Sequence, residues 1–269
     1  MFNASYRRRP ELGATLGAWV RRHAVTAGLL FTASPVTLLA QRAGAVGDGF
    51  AFRRPVVSLT IRGGYDRPLG NGELFDFSRK NLTLSTGDFA AAGYQIDIGF
   101  RISDRTEIVI TGGDASRTAG SEFRNFIDND DKPIEQTTRL RRVPLAVGVK
   151  YALSAPGERI GTFAWIPSRF TPWVGTGLGA MQYSFTQNGD FVDFQTLNVF
   201  SDKLSSTGWA PMGYAHLGLD VRLTTRISLT GDLRYTAARA TLAREGSFDG
   251  FGKIDLSGTA ATMGFTLRL

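Results

Sequence analysis

From residue 57 to the C-terminus, apolar and polar side chains exchange at period two in one segment after another. This is the signature of strands whose two faces meet different solvents. The last segment, 256–269, is the plainest. Thr259, Ala261, Met263, Phe265, Leu267 and Leu269 share one parity, and Gly258, Ala260, Thr262, Gly264, Thr266 and Arg268 the other. The alternation runs to the terminal residue, where soluble domains usually fray in polar residues. Seven more segments alternate: 57–66, 94–103, 107–113, 142–153, 170 to about 186, 215–224 and 227–236. In the fifth of the eight, Gly175, Gly177 and Gly179 blur the period and predict a bend or bulge.

The charges obey the same rule. Arg62, Asp97, Arg101, Glu107, Lys150, Asp220, Arg222, Asp232, Arg234 and Arg268 lie opposite the apolar parity of their strands, and His216 lies with them. Periodicity does not say which face is inside, but connection lengths do. Those predicted at 104–106 and 225–226 are short, that at 154–169 is intermediate, and those at 67–93, 114–141, 187–208 and 237–255 are long. Short turns at one end and long polar loops at the other, joined by strands of about ten residues, fit tilted crossings of a bilayer. The expected fold is therefore all-β: an eight-stranded antiparallel up-and-down transmembrane β-barrel, apolar outside and charged inside. Tyr65, Tyr94, Tyr183, Trp209 and Tyr235 near one end, and Tyr151, Phe163, Trp165, Phe170 and Trp173 near the other, suggest two aromatic girdles.

Composition changes this picture at the N-terminus. The 269-residue chain has no cysteine, so disulfides, Cys zinc sites and Cys nucleophiles are excluded. Its pI near 10.0 would suggest nucleic acid as a partner. However, residues 1–45 hold six of the 31 basic and one of the 24 acidic side chains, leaving 25 − 23 = +2 for the rest. The basicity belongs mostly to a leader, and nucleic acid drops out. Arg7, Arg8, Arg9, Arg21 and Arg22 precede an uncharged run over 24–41, and Ala43-Gly44-Ala45 follows as an A-x-A cleavage site. Pro35 and the small residues around it argue against a retained anchor. The reading is a cleaved signal peptide over 1–45, a periplasmic segment over 46–54 and an outer-membrane barrel domain over 55–269. A barrel must cross the inner membrane unfolded, which favours the general secretory route over the twin-arginine route for folded cargo.

Two motifs carry a family resemblance. Thr262, Gly264, Leu267 and Leu269 resemble the C-terminal signal by which bacterial outer-membrane barrels are recognised by their insertion machinery, with Leu269 where the family prefers Phe. The run P-W-V-G-T-G-L-G over 172–179, with Tyr183 after it, resembles the P-Y-V-G-x-G-x-G strand of small OmpA-like, OmpX-like and OmpW-like barrels; Trp173 replaces the usual Tyr. Over about 55–269 the resemblance implies an eight-stranded barrel of the Gram-negative envelope with both termini in the periplasm. Its implied partners are outer-membrane lipids and the insertion machinery. Members of the family differ widely in function, so the fold does not supply one.

Candidate chemistry is sparse. His23 belongs to the leader, so His216 is the single imidazole available for a triad. In the lipid A deacylases of this barrel class a Ser would stand two residues on, where this chain has Gly218. A structural hydrogen bond in the lumen is the expected role, and no enzyme activity is expected. Asp128, Asp130, Asp131 and Glu135 lack the glycine and spacing of an EF-hand; they read as a solvated loop, with no metal and no cofactor. The long loops are rich in apolar residues: Leu74, Phe75 and Phe77; Phe123 and Phe126; Phe191, Phe194, Leu197, Val199 and Phe200; Phe248 and Phe251. They form either a cap over the barrel mouth or a surface for a hydrophobic ligand or partner protein. An eight-stranded barrel has room inside for little but its own side chains. A structural or surface-binding protein with a lumen closed by polar side chains is thus the first functional reading. Arg101 paired with Glu107, and Lys150 converging with Asp220, Arg222 and Arg268, would form that plug. The alternative is a narrow passage for small, apolar solutes past Gly64, Gly99, Ala146, Gly148, Gly218 and Gly264.

Overall fold

The computed structural model describes residues 50–269 except 129–130, 162–163, 195, 197, 243–247 and 249–250. The leader over 1–45, residues 46–49 of the segment after it, and Asp130, Phe163 and Leu197 lie outside the described residues. In chain order the elements are β1 (Val57–Pro68), α1 (Glu73–Asn81), a 3-10 turn (Thr86–Phe89), β2 (Ala91–Arg101), β3 (Thr106–Ile127) and β4 (Pro133–Ala152). After them come β5 (Gly157–Ile160), β6 (Ala164–Pro167), β7 (Phe170–Val192), β8 (Val199–Arg222), β9 (Ile227–Thr241), β10 (Lys253–Asp255) and β11 (Gly258–Arg268). The ring runs β1-β2-β3-β4-β7-β8-β9-β11, every pair antiparallel, and β11 closes on β1 with Ile61 opposite Phe265. These eight strands are a closed barrel. The β5–β6 hairpin fills the connection from β4 to β7, and β10 adds to the end of β9.

Burial is inverted along the lower part of the ring. Ile61, Ile98, Val147, Leu178, Leu219 and Phe265 point outward and are exposed, while Arg62, Thr111, Asp220, Thr230 and Asp232 point inward and are buried. In water this would expose a continuous apolar surface around the whole molecule. In a bilayer it is the required arrangement, because a closed ring also leaves no backbone edge unpaired in hydrocarbon. Among the described residues no helix is long and apolar enough to cross a membrane; the strands cross it. Tyr65, Tyr94, Trp209 and Tyr235 are exposed along the upper margin of the apolar belt, and Phe100, Tyr151 and Phe170 along the lower. Three expected girdle residues are not there. Tyr183 and Trp173 point into the barrel, and Trp165 is buried where the hairpin bridges to Ala51. The odd-numbered positions of β7 face the lumen, a parity that Gly175, Gly177 and Gly179 after Trp173 hid from the pattern.

The connections expected at 114–141 and 187–208 are largely strand: β3 and β4 continue past the belt almost to their common tip, and so do β7 and β8. Alternation persists there in phase, but the apolar side changes. Ile134 and Leu140 on β4 and Phe185 on β7 point inward and are buried, while Arg139, Arg141, Ser184 and Thr186 point outward. Outside the belt the solvent is water, so the apolar face turns inward. It meets α1, which carries Glu73 and Asp76 in its first turn and Arg79 and Lys80 in its last, an arrangement that complements the helix dipole. Leu74 and Phe75 from α1, with Leu82, Leu84 and Phe89 after it, pack on Ile134, Leu140, Phe185, Phe248, Ile254 and Leu256. Each large side chain buried this way contributes about 1.5–3 kcal/mol. A compact apolar core therefore stoppers the barrel mouth.

The bulge expected in β7 is absent. Register with β4 and with β8 is unbroken through Gly175, Gly177 and Gly179, and the irregularity lies instead in β3, between Glu122 and Ile127. The glycines serve a steric purpose. A Cβ on Gly175 would fall 2.3 Å from His216 Nε2, and one on Gly177 2.6 Å from the Tyr214 ring. Both rings of β8 lie across this bare stretch of β7.

Candidate functional site

The lumen has two charged centres. The lower is Asp220 on β8, which is 2 % exposed and accepts from four donors on four other strands. Lys150 Nζ (β4) and Arg268 Nη2 (β11) reach Oδ2 at 3.1 and 2.9 Å, and Trp173 Nε1 (β7) and Thr230 Oγ1 (β9) reach Oδ1 at 3.0 and 2.9 Å. Lys150 also lies 4.3 Å from the centre of the Trp173 ring. Buried ions need partners of this number, since each loses several kcal/mol of hydration.

The upper centre is built on Arg62 (β1) and Asp232 (β9), 2.8 Å apart. Arg62 also pairs with Asp97 on β2, and Asp97 accepts from Thr111 on β3. His216 Nδ1 lies 2.8 Å from Asp232 Oδ2. A carboxylate only accepts, so Nδ1 carries the proton and donates. Thr262 Oγ1 donates to the other oxygen of Asp232 at 3.1 Å. Arg234 stacks on the Tyr214 ring at 4.5 Å, and its Nε and Nη1 find no acceptor among the described residues.

At the turn end Arg101 and Glu107 are register partners, with a 3.5 Å contact. Arg222 stands apart from the lower centre and donates to the Pro167 carbonyl at 2.6 Å, tying β8 to the β5–β6 hairpin. At the upper end of the lumen the buried Arg142 pairs with Asp66 and donates to the Leu256 carbonyl at 2.8 Å. Arg142, Trp173, Tyr214, Thr111 and Thr230 were not among the expected lumen network. Parity alone places Arg142, Tyr214, Thr111 and Thr230 on the inner face, whereas the inward place of Trp173 needed the register of neighbouring strands.

The cavities beside these groups, among the described residues, are small. Cavities of about 10, 20 and 30 Å³ lie beside Trp173 and His216, beside Arg101 and Asp220, and below Tyr65 and Arg142. Each is on the order of one water molecule. The small inward residues are seats for larger neighbours: a Cβ on Gly148 would lie 2.3 Å from the Tyr214 hydroxyl, and one on Gly99 2.3 Å from Ser58 Oγ. In the tail, Gly264 lies against the Ile61 carbonyl, Leu267 is half-buried and Leu269 is exposed, with its amide donating to Val57 at 2.8 Å.

Above the stopper the loop aromatics divide. Phe75 and Phe248 are buried against Phe185. Phe77, Phe123, Phe126, Phe194 and Phe251 form a chain of edge-on contacts at 5.4–6.4 Å in which Phe77 and Phe194 stay exposed. In the acidic loop the Asp131 amide donates to the Asp128 carbonyl at 3.0 Å, in a turn that gives Asp131 a φ of 60°, and Glu135 points outward from β4.

No family model and no curated protein matches the chain. Among solved structures it is similar to neisserial surface protein A, with 10 % identity, a TM-score of 0.44, and coverage of 82 % of this chain and 98 % of that one. It is similar also to the outer-membrane protein OprG of Pseudomonas aeruginosa, with 15 % identity, a TM-score of 0.41, and coverage of 81 % and 99 %. The outer-membrane protease OmpT of Escherichia coli gives 6 % identity, a TM-score of 0.42, and coverage of 84 % and 100 %. The closed ring of eight antiparallel strands and its inverted faces carry the conclusion by themselves: this chain is an integral membrane β-barrel.

Proposed function

We propose that the protein is a non-conducting outer-membrane barrel with a structural or surface-binding role, oriented with the β3–β4 and β7–β8 extensions outside the cell and the short turns in the periplasm. The observation that carries this reading is Asp220 holding four donors from four strands across the lower part of the lumen. The apolar stopper under α1 supports it. A catalytic role for His216 is disfavoured because the adjoining cavity, about 10 Å³, is too small for a substrate. In this reading residues 1–45 are a signal peptide for the general secretory route. The insertion machinery recognises Thr262, Gly264, Leu267 and Leu269, and the exposed aromatic chain around Phe77 and Phe194 is where a hydrophobic partner would bind. Planar-bilayer recording with parallel solute-uptake assays on proteoliposomes tests the closed lumen. Silent bilayers and no uptake are expected; steady conductance or uptake of apolar solutes would replace this reading with that of a passage.

A further inference from the structure

One row of inward positions in the upper lumen is almost bare. Thr262, Gly64, Gly93, Ala115 and Arg142 are register partners in turn across β11, β1, β2, β3 and β4. Three consecutive members thus carry a hydrogen or a methyl where an eight-stranded barrel relies on side chains to fill its interior. Beside them lies the largest of the cavities near the charged centres, about 30 Å³, roughly twice what one water needs. Arg234 on β9 and Arg142 on β4 both line it, and both are 3 % exposed. Stacking on Tyr214 takes up the face of the Arg234 guanidinium and leaves its edge, where the N–H groups lie. None of these groups meets an acceptor among the described residues. Nε and Nη1 have none in reach, and Nη2 lies 3.4 Å from His216 Nδ1, which is itself the donor to Asp232. The two carboxylates of the upper centre are committed elsewhere: Asp97 to Arg62 and Thr111, Asp232 to Arg62, His216 and Thr262.

The other polar groups on this chamber are also placed to donate. Gln95 Oε1 accepts from Arg62 Nη2 at 3.4 Å, which leaves its amide N–H groups, and Thr236 brings a hydroxyl. Arg142, held by Asp66 and by the Leu256 carbonyl, adds its charge. We infer that the chamber binds one small monovalent anion, of the size and charge of chloride, with Arg234 Nε and Nη1 as its principal donors. A water molecule would satisfy those N–H groups but bring no counter-charge, and a guanidinium taken out of water is costly without one. So small a chamber selects a monatomic ion. The apolar stopper and the Arg142–Asp66 pair cover it from above, and below it Arg62 spans Asp97 and Asp232. The ion is therefore taken up as the barrel closes and exchanges slowly afterwards. The site is the same whichever end of the barrel faces the cell exterior, so it stands apart from the proposed orientation.

Bromide serves as the probe. The full chain is refolded and crystallised in sodium bromide, and anomalous scattering at the bromine edge locates the ion; a peak within hydrogen-bond reach of Arg234 Nε is expected. In parallel, protein refolded into vesicles in sodium chloride or sodium bromide is unfolded with urea beside protein refolded in sodium gluconate at the same ionic strength. The halides should favour the folded state about tenfold, as for an ion present at about ten times its dissociation constant. That difference should vanish in Arg234→Met and persist in Glu107→Gln, whose contact lies at the turn end. Should Arg234→Met fail to fold, the bromide peak in the wild-type protein still decides. Crystals grown in bromide with no peak on Arg234, or equal urea midpoints in halide and gluconate, would overturn the site and leave the edge of Arg234 to water.

Discussion

Trp173 on β7 and Gly218 on β8 are register partners, and the indole lies so flat across the glycine that a Cβ there would fall 2.3 Å from Cζ2. That position is what lets Nε1 reach Asp220 at 3.0 Å. Gly218→Val is expected to push the indole off the carboxylate and to cost about 1–3 kcal/mol by overpacking. Urea unfolding in lipid vesicles, followed by tryptophan fluorescence, measures it. An unchanged midpoint would show that the indole does not occupy this seat.

Asp220 is the residue whose loss should matter most to the lumen. Asp220→Asn leaves Lys150 and Arg268 without their shared anion, a change expected to destabilise by about 3–5 kcal/mol. A double-mutant cycle with Lys150→Met should return a coupling on the order of 0.5–3 kcal/mol. Glu107→Gln should do less, because the Arg101–Glu107 contact is longer at 3.5 Å and partly open to solvent at the turn end. The reverse order of these two effects would move the centre of the plug to the turn end.

Arginine scanning along β4 and β7 reads where the bilayer stops. Val147→Arg is expected to cost about 2–4 kcal/mol, as for a cation near the midplane of the lipid face, while Thr186→Arg, outward on β7 above the belt and in register with Arg139, should be close to neutral. Unfolding free energies in vesicles check both. Tolerance of arginine at Val147 would contradict the lipid belt.

The stopper should loosen independently of the belt. Phe75→Ala removes a side chain that packs edge-on against Phe89 and Phe185 at 5.3 and 5.8 Å, a truncation worth about 3–5 kcal/mol in a well-packed core. Amide hydrogen exchange is expected to quicken over 73–89 and to stay unchanged in the belt part of β1 and β2. Uniform quickening would mean that cap and barrel unfold as one unit.

The sequence by itself determined the parity of the belt strands, because alternation is a local property of a chain with hydrocarbon on one side of it. Arg62, Asp97, Lys150, Asp220, Asp232, Arg234 and Arg268 could be assigned to the inner face from their neighbours alone, and the hairpin turn at Asp104 was enough to set Arg101 opposite Glu107. Only the tertiary structure decided which of these charges meet. Lys150 and Arg268 converge on Asp220 from strands far apart in the chain, and ring closure and register, properties of all eight strands together, bring them there. The same holds for Trp173, whose inward place depends on the bare backbone at Gly218. The strands above the belt escaped the pattern for a different reason. Where lipid gives way to water the apolar face of β4 moves from the Val143, Val147 side to the Leu140, Ile134 side without a break in the alternation. A chain read for one apolar face ends its strand at that crossing, whereas the backbone hydrogen bonds continue through it.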